Sequence, residues 1–512
     1  MATTPNAREP IRIPLVGQTF ARSVNQASAA SSKSGIIGIG VVGTFIIGLT
    51  VSSTKDQHFI NCYPEKLTNP LTNGESFFLI KRPGFATNTT PEAGSIGSAV
   101  HVWAGQGSGT SVISSFGATN STVYNEAVSI GTTSGKVVAI NDTLVGATAN
   151  LLFATDNNTG YFYPEAGSLT LINDIDFPGN IAGQTITGGF IPLNGYNFIM
   201  TKQGKIYNSD VDSMSAWDAT SFLSANIRPD AGLGLIRYKN YIGAFGKESL
   251  EFFQNVVNAA GSPLQSVPNA YINIGAVNQY AFKEMDDTIV WLGQTAQSRV
   301  ALYMLEGLTP KKLSTPAIDA LLSIANPANM YLNTLSLAGQ TFVVIVSGSD
   351  NTTYVYNLEN QSWHEWSSAT ILWHHMTGIS SGTKAIYAVS EADTAGKVFL
   401  INPVNYVFTD NGVNYLVTIQ TSLVDLDTSH RKRLAKLWIV GETDTSTNNV
   451  DVSWSDDDYV TFSTARTIDL STNSPFLNVC GMFRRRAFKL TQNNTRPLRL
   501  SAMDLLVDKM AH

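Results

Sequence analysis

Charge is scarce in this sequence. Asp, Glu, Lys and Arg supply 14% of its 512 residues, against roughly a quarter in an ordinary soluble protein, while Ser, Thr, Asn and Gly are plentiful. Solubility must then rest on neutral polar groups, whose hydroxyls and amides fill turns and solvated sheet faces. That profile suits strand-rich viral and extracellular proteins better than cytosolic enzymes. Cysteine is almost missing: Cys62 and Cys480 lie far apart, form no CxxC or metal-ligand cluster, and nothing in their spacing calls for a disulfide. A surplus of positive charge is missing too. With a net charge of −6, no overall basic field draws the chain to nucleic acid, and any such contact is local. The opening MATTPNAREPIRIP lacks the basic-then-apolar order of a secretory signal, so none is expected.

Helical periodicity is also nearly absent. What fills the chain from about residue 100 onward is one theme, short β-branched or aromatic runs bounded by Gly, Asn, Asp or Ser. Tyr241 to Phe245 faces Ser249 to Gln254 across a Gly-Lys-Glu turn, and Thr288 to Leu292 pairs with Val300 to Leu305. Small sheets at regular spacing hide one face only by packing on the next, which indicates a propeller or a sandwich. The fold expected is mainly all-β: an N-terminal arm with strands over residues 1–99, a β-propeller over 100–405 and a C-terminal β-sandwich over 406–512. One helix is predicted at Pro316 to Ile324, with Thr315 as N-cap and proline in the first turn. It reads as a connection between blades.

The stretch Gly35 to Val51, GIIGIGVVGTFIIGLTV, sits at the short limit for a membrane helix. Its glycines disfavour a lone helix, and Ile, Val and Phe favour extended structure. It is read as a strand hairpin packed within the protein or on a partner, with lipid contact the alternative that stays open.

Three stretches carry a family resemblance. Ile13-Pro14-Leu15-Val16-Gly17 leads to Phe20. Further on come Gln57, Asn61, Tyr63-Pro64-Glu65 and then Arg82-Pro83-Gly84. Tyr241 to Gln254 forms the third, with Val452 to Asp457 as a C-terminal echo. Together they resemble the tail nozzle, or packaged-DNA-stabilisation, family of short-tailed bacteriophages. The sequence departs from that pattern in an insert, Ala27 to Lys55, whose role cannot be carried over. The resemblance implies a virion protein of the phage tail, made in the host cytoplasm. It would form a homohexameric ring below the portal and adaptor, touch a fibre, spike or needle, and pass double-stranded DNA through the ring with weak, non-specific contact. A mildly acidic conduit suits that task, because each phosphate neutralised by Lys or Arg adds affinity and so drag.

No catalytic, cofactor-binding or metal residue is nominated, and the chain is read as not an enzyme. Ser455 to Phe462 approximates the Asp-box of sialidase-like propellers, but it occurs once and reads as a hairpin cap. Ile11-Arg12-Ile13-Pro14 echoes an arginine that grips a carboxylate, yet no spacing identifies the carboxyl pair that a glycosidase needs. His374 and His375, being adjacent, would face opposite ways on a strand and not share an ion. Two basic runs are the candidate assembly residues: Arg431, Lys432 and Arg433 with Lys436, and Arg484, Arg485 and Arg486 with Lys489. Ile36, Ile37, Val41, Phe45, Ile46 and Leu49 join them as apolar surface that needs cover. A receptor- or glycan-binding propeller and a sialidase-like hydrolase are the competing readings.

Overall fold

A computed structural model of the chain describes residues 11–15, 58–66 and 77–509, apart from 106–108, 166, 226, 257, 259–260, 296, 350, 369–370, 379–383 and 427. It divides into two compact units. One holds Phe85–Thr353 and Thr370–Tyr406, and the other holds the residues up to Gly84, Tyr354–Ala369 and the residues from Val407 on.

The first unit is a propeller, and among the described residues it has seven blades. Blades 1 to 4 are four-stranded meanders opening with Gly97–Gly105, Val137–Val145, Ile186–Leu193 and Gly232–Tyr238. Blade 5 is built on Phe282–Met285 and Thr288–Gln294, blade 6 begins with Met330–Leu337 and Gln340–Ser347, and blade 7 holds His375–Gly378, Ile386–Val389 and Val398–Ile401. The opening strands touch their neighbours in order and the seventh touches the first, so the ring is closed. Closure is reinforced by a strand from earlier in the chain. Ala86–Thr89 pairs antiparallel with Val398–Ile401, completing blade 7.

Strand alternation explains the near-continuous apolar runs. In Thr148–Thr155, Leu151 and Phe153 enter a core shared with blade 1, while Leu152 and Ala154 enter a second core shared with blade 3. Successive side chains of a strand point to opposite faces, and here both faces are covered. The same division places Ile199 in the core between blades 2 and 3, and Phe198 and Met200 in the one between blades 3 and 4. Each such leucine or phenylalanine contributes roughly 1.5–3 kcal/mol by leaving water. The helix Pro316–Ile324 lies between blades 5 and 6 as the sequence indicates, with Thr315 accepting from Ile318 N.

The second unit corrects the expected boundaries. Its described N-terminal strands are not a separate arm. Ile11–Pro14 and Phe77–Lys81 both pair with the last strand, Arg499–Lys509, which in turn pairs with Lys432–Gly441. His58–Ile60 pairs with Val417–Gln420 in a second sheet. One core joins them, containing Phe59, Cys62 and Leu79 from the beginning of the chain and Ile419, Leu437, Leu490 and Met503 from its end. Residues 406–512 would leave that core open without the early strands. The propeller, likewise, starts before residue 100.

Asn61 and Arg82, both from the second motif stretch, meet in this unit, and Arg82 is fully buried. Its guanidinium donates to Asp410 Oδ1 and Oδ2 at 3.1 and 2.6 Å, to Asn61 Oδ1 at 2.8 Å and to Ser367 O at 3.1 Å. It also lies 4.2 Å from the Tyr415 ring centre, and the Tyr415 hydroxyl donates to Arg82 O. Asn61 adopts φ of 58° and gives its amide to Leu416 O and Ser367 Oγ. Gly84 follows because any Cβ there would sit 2.1 Å from Thr409 O. Removing one partner of a buried ion pair costs about 3–5 kcal/mol. Arg82→Met is therefore expected to lower the stability of this unit by that order in a denaturant titration, and Arg82→Met with Asp410→Leu to recover most of the loss. Equal stability of Arg82→Met and the parent chain would show that the pair is dispensable.

Candidate functional site

The seven opening strands line a cavity on the propeller axis of about 290 Å³. Water occupies roughly 30 Å³ per molecule in the liquid, so the bore holds on the order of ten waters. A polar knot forms part of its wall. Glu391 is the centre: its carboxylate accepts from His375 Nε2 at 2.6 Å, from Lys136 Nζ at 2.7 Å and from the Tyr331 hydroxyl at 3.1 Å. Its backbone N donates to His374 Nδ1 at 3.1 Å. Tyr280 stacks on Tyr331 with ring centres 5.0 Å apart, and Asn333 gives its amide to His374 O and accepts from Met376 N.

The two histidines do not diverge as adjacent strand residues would. His374 precedes the strand that starts at His375, and both rings approach Tyr331, at 5.0 and 5.2 Å. Burial holds the His374 imidazole low, at about 4. Burial alone would raise the Glu391 carboxyl, but the hydrogen bond from His375 and the nearby Lys136 ammonium outweigh it and hold it at about 2. No group of three or more His, Cys, Asp or Glu among the described residues could hold a metal ion. The knot joins blades 2, 5, 6 and 7 through side chains that already satisfy one another, which is a structural task.

Elsewhere the predicted residues separate by burial. Lys432 and Arg486 are corrected as assembly residues, because both are buried. Lys432 Nζ donates to Thr428 O and His430 O, at 2.6 and 3.0 Å. Arg486 makes a bidentate pair with Asp456, both contacts at 2.7 Å, and stacks over Phe483 and Trp454. Arg431, Arg433, Arg484 and Arg485 are exposed, and Lys436 and Lys489 are half-buried over Phe476 and Phe462. Arg484 and Arg485 border an open groove with Asp425, Thr428 and Ser429. Ile36, Ile37, Val41, Phe45, Ile46 and Leu49 lie outside the described residues.

The sialidase echoes have structural employment. Arg12 Nε and its terminal nitrogen bond Asp504 at 2.7 and 2.8 Å, pinning the first described strand to the last. In the Asp-box-like turn, Asp457 accepts from Ser455 Oγ, Thr461 N and Thr461 Oγ1, while Tyr459 N donates to Ser455 Oγ. Cys62 and Cys480 are both free and buried. Sequence reasoning singled out His374 and His375 only as residues that would diverge, and missed the Glu391 knot they form. Its members come from four blades, and no local pattern marks them.

A family model described as Bacteriophage P22 Gp10, beta-propeller, matches residues 45–387. No curated protein matches the chain. Among solved structures, BamB from Moraxella catarrhalis is 11% identical over 66% of this chain and 92% of its own, with a TM-score of 0.38. Raptor from Chaetomium thermophilum is 11% identical over 63% of this chain and 29% of its own, with a TM-score of 0.39. The N-terminal domain of Nup159 is 8% identical over 67% of this chain and 98% of its own, with a TM-score of 0.39. Likeness this low carries nothing over from those proteins.

The knot has a pH signature of definite sign. Unfolded histidine binds its proton near pH 6.5 and unfolded glutamate near pH 4.3, by the usual values of about those figures. His374 in the fold refuses the proton until about 4, and Glu391 until about 2. Between each pair of values the unfolded chain holds the extra proton, so stability falls as pH falls. The melting temperature of the intact chain should decline from pH 7 to pH 4 and more steeply below, with the lower limb flattened in Glu391→Gln. A melting temperature indifferent to acid over this range would contradict the assignment.

Proposed function

The chain belongs to the phage-stabilisation family of bacteriophage β-propeller proteins, and from that premise we propose that it is a subunit of the tail nozzle, extending the DNA conduit beneath the portal and adaptor. It is a structural protein of the phage tail and a component of the virion. The finer reading is mechanical and non-enzymatic: several copies form a ring, most simply a hexamer, that helps retain packaged DNA and opens for ejection.

The observation that carries this reading is the family match across nearly the whole propeller. Two physical points support it. A duplex whose major groove alone is about 12 Å wide cannot enter a side-chain-lined bore of about 290 Å³, so any conduit has to be enclosed by several copies. The net charge of −6 also suits passage of a polyanion without tight binding. The exposed Arg484 and Arg485 offer paired guanidinium groups to carboxylates of an adaptor.

Native mass spectrometry of the purified chain tests the ring: one closed oligomer is expected, and a monomer at every concentration would overturn the reading. Arg484→Glu with Arg485→Glu should weaken co-sedimentation with the cognate adaptor at least tenfold and leave the melting temperature within about a degree, since exposed substitutions rarely exceed roughly 0.5 kcal/mol. Undiminished adaptor binding would remove these arginines from the interface.

A further inference from the structure

One edge of the second unit is built to be covered. Strand Lys432–Gly441 sends Leu434, Leu437 and Ile439 into the core, and two short strands, Phe476–Asn478 and Met482–Phe483, lie along its outer edge. Trp438 is opposite Phe476 and Arg433 is opposite Met482, while Val479 N bonds Ala435 O between them. Phe476, Val479 and Met482 thus form one apolar row, and they are 44%, 69% and 50% exposed. The Lys436 ammonium sits 4.7 Å from the Phe476 ring centre. Exposed Arg431 and Arg433 flank the same strands.

The row is held out at a conformational cost. Val479 has φ of 53°, a left-handed backbone that β-branched residues rarely adopt, and strain of this kind tends to collect where a surface has work to do. Two arginines fix it there. Arg466 donates to Asn478 O and Val479 O, at 2.8 and 3.3 Å, and Arg486 donates to Cys480 O and Met482 O, at 2.5 and 3.4 Å. A phenylalanine and a methionine ringed by arginines match the composition that distinguishes protein interfaces from other surface.

We propose that the Phe476, Val479 and Met482 edge, with its arginine rim, is the surface through which one copy of this chain grips an acidic face of the next. Charge complementarity selects that occupant. The chain carries a net −6 even with these cations included, so the remainder of each copy is more acidic still and supplies the opposing sign. A patch that meets a different patch on its neighbour makes a heterologous contact, the kind that closes into rings. The proposal rests on the ring reading above and names the face that makes the ring.

The test compares full-length wild type, Val479→Asp with Met482→Asp, Met482→Leu and Arg433→Glu by native mass spectrometry at one concentration. Aspartate tolerates the left-handed backbone at position 479 better than valine does, and circular dichroism with a thermal melt confirms folding. At least a tenfold loss of ring is expected for the double aspartate variant and for Arg433→Glu, with the ring kept in Met482→Leu. A folded double variant that assembles like wild type overturns the surface while the ring reading stands. A double variant that keeps its ring but loses the adaptor also overturns it, by showing a different occupant. Wild type without a ring overturns both.

Discussion

The Arg82 guanidinium buried against Asp410 is the interaction on which the second unit depends. A charge taken fully out of water is tolerable only when each of its hydrogens is satisfied. Here Asp410, Asn61 and carbonyl oxygens of Pro83 and Ser367 do so. The partners come from three separated stretches of chain, around residues 61, 367 and 410, and the pair can form only when all three are in place. That requirement converts remote segments into one folded object. Two residues beyond Arg82 the glycine that no other residue can replace passes Thr409, and the chain goes on to the strand that completes blade 7.

The propeller rests on a different principle. A four-stranded blade cannot hide both its faces, so each is stable only between neighbours. The sharing of Thr148–Thr155 between two cores shows how literally this holds. A core common to blades 1 and 7, with Val112 and Phe116 meeting Val389 and Val398, removes the exposed face that an open ring would leave. Charge is rare in such a unit because most strand positions have a neighbour on both sides. Arg237, Lys283 and Glu284 line the bore, and behind its wall Lys136 and Glu391 are paired at 2.7 Å.

The second unit uses arginine in two ways. Arg12, Arg82 and Arg486 are consumed in bidentate pairs that hold the fold. Arg431, Arg433, Arg484 and Arg485 remain at the surface. For a tail protein of a virion that division suits attachment: the internal pairs hold the body together, and the external guanidinium groups stay at the surface.

Much of this was legible from sequence. Strand-length apolar runs with turn residues at regular spacing established an all-β chain and a propeller, because a period of two is local and survives without knowing the neighbours. Thr315 and Pro316 marked the one helix predicted for the same reason. The motif around Asn61, Tyr63 and Arg82 to Gly84 pointed to the family, although its physical purpose was hidden, since Asp410 and Tyr415 lie more than three hundred residues from Arg82. Sequence could not show that the first strands complete the last unit, that the blades among the described residues number seven, or that Lys432 and Arg486 are buried while Arg431, Arg433, Arg484 and Arg485 beside them are exposed. Local pattern records which faces a strand wants covered. Which distant segment covers them, and so which charges are enclosed and which are left in water, is decided only when the chain has closed on itself.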